Sequence, residues 1–333
     1  MTRIDPDGPL PSFDDLPIDK SDTKRPLNAY IWGEDDAMGC LNLLTPARIR
    51  NAALLIKTGN IFPLNWDLEK PNPPLFERSA LKHDVLHRRK ATAENPLNTF
   101  DDMYQNFNTQ SSTQWDSFGH FSGTAGTFYN KATAADVAEG SKIGIHHWAR
   151  KGIAGRAVLL DILAWTKATG REYDASSSKK PVSTADLDAC AQWQGVVFQV
   201  GDILLIRFGW IEWYERQTPD EKANLGKNFR TLGCNGLEAS RDMLRWLWDH
   251  HFAAVASDAP PLEAIPKPLP NPHSMDLHET MLSNWGMPIG ELFYLEELAN
   301  SCCWDRRYAF FFSSSVLNKF GGIASPPNAI AFK

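Results

Sequence analysis

Apolar positions along the chain change period several times, and each change marks an element. Thr45 and Pro46, followed by Ile49, Ala52, Ala53 and Ile56 at helical spacing, predict a helix that Gly59 closes. Ile61 to Leu68 reads as a strand, ended by prolines 71, 73 and 74. Two near-continuous apolar runs, 155–163 and 201–209, predict buried strands, with a helix from Thr184 between them. Residues 235–249 place Leu237, Met243, Leu244 and Leu247 on one side of a helix that leads into a buried strand at 252–258. A helix after Asp276, a short segment at 289–291, a helix near 295–300 and strands near 307–314 and 328–332 complete the pattern. Two stretches resist assignment: the polar residues 78–106, and 260–272, whose six prolines demand an irregular loop. Residues 1–30 read as an extended arm punctuated by Pro6, Pro9, Pro11, Pro17 and Pro26. Alternating strands and helices, with no repeat and no clean linker, predict one mixed α/β domain over 31–333 behind that arm.

Composition narrows the function classes. The chain has 333 residues, 43% hydrophobic and 22% charged, enough for a full core without staples. Its formal net charge of −6 and lack of a long basic run argue against nucleic acid as a partner. Five scattered cysteines without metal-site spacing suit a reducing compartment. No apolar leader segment or membrane-length run appears, so the expectation is a cytoplasmic protein with a small-molecule substrate. No glycine-rich phosphate loop, nucleophile elbow or complete zincin helix is present; the helix beginning His278-Glu279 has Leu282 where a second histidine must stand. A nucleotide cofactor is therefore not expected.

What remains is a polar island, Gln110 to Phe121, with Gln110, Gln114, Asp116 and His120 spaced four, two and four apart. A strand puts 114, 116, 118 and 120 on one face; a helical turn brings 110, 114 and the 116/120 pair together. On spacing alone, a ligand site and a polar turn bonding its own backbone explain the island equally well. The other histidine groups are weaker. His146-His147, His250-His251 and the pair His83/His87 read as packed or surface residues, His273 as a candidate for the rim of a pocket, and Cys302-Cys303 as thiols in an apolar context rather than nucleophiles.

The island resembles the active-site motif of the cyclase family, which includes bacterial metal-dependent kynurenine formamidase and isatin hydrolase. That motif reads His-x-Gly-Thr-His-x-Asp-x-Pro-x-His. Thr113, Asp116 and His120 match it, while Gln110 and Gln114 stand where its two metal-binding histidines fall, Ser112 for its Gly and Phe118 for its Pro. Residues 35–46, 201–207, 258–260 and 324–331 resemble further family segments in the right order, and His278 with Glu291 resembles its second His/Glu pair. The resemblance implies a β-barrel-like mixed sheet flanked by helices, a homodimer or homotetramer, and a divalent metal. Amides in place of two imidazoles favour manganese or magnesium over zinc. A weak or altered metal site, a metal-free enzyme and a non-catalytic relic all remain open.

The resemblance further implies a hydrolase-like enzyme acting on a small cyclic or aromatic amide or lactone. His120 would be the acid/base, partnered by Asp116, with His278 as a further catalytic group. Gln110, Gln114, Asp116, His278 and Glu291 would be the metal-ligand set, and Trp32, Trp115, Phe118, Phe121 and Trp285 the apolar walls. The alternatives are a metal-free cyclase or dehydratase of secondary metabolism and a binding protein that kept the fold.

Overall fold

A computed structural model describes residues 3–123, 126–266 and 276–333. Among them, nine strands form one curled, half-barrel sheet flanked by helices, and two more form a separate hairpin. The strands are β1 (Ile61–Pro63), β2 (Lys82–Arg89), β3 (Thr99–Gln105), β4 (Gln114–Asp116), β5 (Ile153–Asp161), β6 (Ile203–Arg207), β7 (Ala254–Ser257), β8 (Ile289–Glu291), β9 (Ala309–Ser314), β10 (Ala324–Ser325) and β11 (Ala329–Phe332). The sheet order is β1-β11-β9-β5-β6-β7-β8-β4-β10. β5, β6, β7 and β8 run parallel, and every other pairing is antiparallel. β6 and β7 are buried at every position, which is why they read as continuous apolar runs.

Several sequence boundaries shift. The first helix spans Pro46–Ala53 and ends before Gly59, with Thr45 capping it. The strand expected over 61–68 is only the three residues of β1. The helix expected over 235–249 begins at Arg241, where Ser240 caps it; Leu237 instead bridges Val182 and Glu263 as extended chain. Residues 78–106 contain the β2–β3 hairpin, illegible because polar and apolar residues mix on both of its exposed faces. After Asp276 the helix is a π-helix over Glu279–Trp285. Residues 3–30 lie along their own domain: Ile4 N–H donates to Ile31 O (2.9 Å), and buried Phe13 packs edge-on against Trp285. No helix among the described residues is long and apolar enough to cross a membrane.

A buried ionic brace joins the ends of the parallel strands. Arg207, closing β6, sends Nη1 to Asp161 Oδ1 at the end of β5 (3.2 Å), Nη2 to Glu212 (2.5 Å) and Nε to Glu296. Just beyond β7, both carboxylate oxygens of Asp258 accept backbone N–H groups, from Phe208 (2.6 Å) and Gly209 (2.8 Å). Burial, with Glu296 nearby, pushes the Asp258 carboxyl up to about 7.

Candidate active site

The site forms where the sheet changes sense. β8 pairs parallel with β7 on one side and antiparallel with β4 on the other, which sets Gln114 opposite Glu291 and Trp115 opposite Gly290. Gly290 is required by close approach: a Cβ there would stand 2.5 Å from Ala256 Cβ and 2.8 Å from the Trp115 ring. Thr113 pins the start of β4, its hydroxyl donating to Leu292 O (2.6 Å) and accepting from Trp66 N–H (2.7 Å). Strand alternation then aims Gln114 and Asp116 to one face and Trp115 to the other.

On that face the polar side chains converge. Gln114 Nε2 donates to Glu291 Oε2 (2.6 Å), and His278 Nε2 lies 3.0 Å from Glu291 Oε1. The other ring nitrogen of His278 lies 2.6 Å from Glu263 Oε2. Gln110 Nε2 donates to Asp116 Oδ1 (2.6 Å) and lies 3.1 Å from His120 Nδ1, while His120 Nε2 is 3.8 Å from Asp116 Oδ2. All of these except Gln110 and His120 are buried; those two are partly exposed, and Phe121 packs 5.8 Å from the His278 ring.

Electrostatics divides the two histidines. Burial would strip His278 of its proton, but Glu263 and Glu291 on its two nitrogens outweigh that and hold it well above the ordinary imidazole range. Burial dominates at His120 and lowers it against the pull of Asp116, so the ring is neutral at pH 7. Burial and the neighbouring Asp116 push Glu291 up to about 7, although His278 works the other way.

Two buried oxygens in this cluster, Gln114 Oε1 and Asp116 Oδ2, have no hydrogen-bond partner. An orphaned acceptor costs about 1–3 kcal/mol, so two together suit the binding of a cation or water. Ligand atoms of Asp116, His278 and Glu291 lie within 4.8 Å of one another. The donor set is rich in oxygen, which suits a hard divalent cation. Gln110 differs from the expected ligand set: its amide nitrogen, not its oxygen, turns inward.

Of the five expected wall residues, only Phe121 stands at this site. Trp115 and Phe118 are buried in the core, against Phe293 and Trp148 respectively. Trp285 packs on Phe13 and donates to Leu27 O (2.9 Å). Trp32 lines a separate cleft of about 520 Å³ with Arg3, Asp36 and Lys151. His83 has an acidic partner that its sequence neighbourhood hid, Asp102 at 2.9 Å across the hairpin. His273 lies outside the described residues. Glu263 and Arg78 were not among the expected site residues. Both are single charges in irregular chain, and no spacing marks them. Only the pairing of Leu237 with Glu263 carries that carboxylate to the site.

A model of the family described as “Putative cyclase” matches residues 66–264. A crystal structure described as a novel cyclase is 31% identical, with a TM-score of 0.77, covering 91% of this chain and 98% of that one. Isatin hydrolase A from Ralstonia solanacearum is 15% identical at a TM-score of 0.55, covering 86% of this chain and 97% of its own. Isatin hydrolase A from Labrenzia aggregata is 14% identical at 0.51, covering 82% and 93%. At those identities the isatin hydrolases share the fold. No curated protein matches the chain.

Proposed function

This chain belongs to the cyclase family, and from that premise we propose that it hydrolyses a small cyclic or aromatic amide or lactone. One observation carries the reading. Gln110, Gln114, Asp116, His120, His278 and Glu291 form a single cluster, and it contains two buried oxygens without partners. The fold shared with isatin hydrolases supports the substrate class.

His120 is the proton carrier. Neutral at pH 7, it takes a proton from the attacking water as the water oxygen bonds to the carbonyl carbon. It returns that proton to the leaving nitrogen or oxygen as the C–N or C–O bond breaks. Asp116 faces the imidazolium formed in between and stabilises it, and Gln110 ties the two together. Glu263 and Glu291 hold His278 as a fixed cation beneath the site. Asp116, Glu291 and the Gln114 oxygen would hold a hard divalent cation, manganese or magnesium ahead of zinc, and His278 would join them only on giving up its proton. Such an ion polarises a carbonyl and acidifies bound water.

His120→Asn keeps the size and one hydrogen bond but carries no proton near pH 7. Turnover of whichever member of a panel of isatin, aryl formamides and aryl lactones the wild type accepts is expected to fall about 10²–10⁴-fold, with Tm within a few degrees. Near-normal turnover in the folded variant moves the proton transfer to His278. A wild type that turns over no member, with or without Mn²⁺, favours a binding protein or a non-hydrolytic cyclase.

A further inference from the structure

Arg78 faces the cluster although nothing in the mechanism uses it. Its Nη1 donates to the backbone oxygen of Gln110, its one hydrogen bond among the described residues. The guanidinium feels the charges of Glu291 and Asp116, yet no carboxylate of the described residues forms an ion pair with it. The chain strains to put it there: Phe76 and Glu77, the two residues before it, both adopt left-handed backbone (φ 57° and 60°). Such conformations persist in non-glycine residues where the surroundings impose them, and they gather at functional sites.

A second cation packs on the same aromatic ring. Arg78 Cζ lies 5.1 Å and Arg230 Cζ 5.3 Å from the centroid of the Phe76 ring, which is itself wedged against Phe229 at 5.0 Å. Arg230 repels Arg78, and no carboxylate of the described residues forms an ion pair with either. Two guanidiniums around one ring, one of them largely desolvated, make an unfavourable pair until an anion joins them. A guanidinium that uses a single donor on the protein keeps its fork for a planar anion.

We propose that Arg78, backed by Arg230, binds a carboxylate of the substrate, so that the preferred substrates are amides or lactones carrying an acid group beside the scissile bond. The inference rests on the hydrolase reading for the reaction but not for the binding. Calorimetric titration of chelator-treated protein with benzoate and benzamide tests the binding. Wild type is expected to hold benzoate about tenfold more tightly than benzamide. Arg78→Met should abolish that preference, Arg78→Lys keep part of it, and Arg230→Met reduce it about threefold. Should Arg78→Met fail to fold, the lysine variant and the exposed Arg230→Met carry the test. Equal binding of the two probes by wild type, or a preference unchanged in every variant, overturns the inference.

Turnover of formanilide against N-formylanthranilate separates the two readings. A preference for the carboxylated partner that Arg78→Met removes supports the inference. Equal turnover of both leaves the hydrolase reading standing and sinks the carboxylate. Turnover of neither, with benzoate selectivity intact, sinks the hydrolase reading and leaves the anion site.

Discussion

Two ionic clusters among the described residues, one around Arg207 and one around His278, differ in what their central cation is able to do. Arg207 spreads three nitrogens over Asp161, Glu212 and Glu296, and a guanidinium keeps its charge at any physiological pH. That cluster ties β5, β6 and β7 at one end, and its protons have nowhere useful to go. His278 sits between Glu263 and Glu291 by the same logic, but an imidazole titrates. Its cluster also opens toward half-exposed His120 and contains two unpartnered oxygens. The brace has its own orphan among the described residues, Glu296 Oε1, one where the site cluster has two. Burial of charge thus makes a girder where the cation is permanent and a reactive centre where it is conditional.

The largest expected effect lies in the brace. Arg207→Met leaves Asp161, Glu296 and Asp258 buried without their cation and should cost about 3–5 kcal/mol, read from urea unfolding. A loss below about 1 kcal/mol would erase the distinction between the clusters.

Next comes pH, because each cluster contains one carboxyl raised to about 7, Asp258 and Glu291. Unfolded, both titrate near 4. Between those values the folded chain binds more protons than the unfolded one, so stability is greatest on the acid side and declines as pH rises through 7. His278, also raised, extends the decline above 6.5. In chelator-treated protein the loss from pH 6 to 7 should be on the order of 2 kcal/mol. Glu291→Gln should remove the site's share of that slope and leave the brace's share. A flat or rising urea midpoint across this range contradicts the assignment.

The smallest effect has opposite signs in the two clusters. Asp116→Asn keeps the acceptor for Gln110 and removes a charge that repels Glu291, so it should stabilise by about 1 kcal/mol while turnover falls. Asp161→Asn, which loses a partner of Arg207, should destabilise by a similar or larger amount. Parallel thermal scans of the two variants decide it, and a destabilised Asp116→Asn would make the site a second brace.

The two clusters were unequally legible in the sequence. Gln110, Gln114, Asp116 and His120 stand within eleven residues, and the resemblance supplied His278 and Glu291. The parallel strands announced themselves as apolar runs. Glu263 and Arg78 reach the site through irregular chain that no period encodes. The brace gave no signal either, since Asp161 and Arg207 close β5 and β6, Asp258 follows β7, and the three meet only when the sheet forms. Trp115 was assigned to the wrong face although strand alternation already opposed it: a neighbour of both Gln114 and Asp116 cannot share their side.

The pairing of Gln114 with Glu291 spans 177 residues, and this sets the order in which the protein comes into being. A contact that distant is entropically expensive to close before the intervening sheet exists. The helices and the parallel strands β5 to β7 have shorter closures and can assemble first. As synthesis proceeds, β4 emerges with its carboxylate and its amide long before β8 arrives, and until then it has neither a neighbouring strand in β8 nor the imidazolium that balances its charge. The cluster therefore condenses only after β5 to β7 can form, and a nascent chain holds that parallel core before it brings the proposed site together.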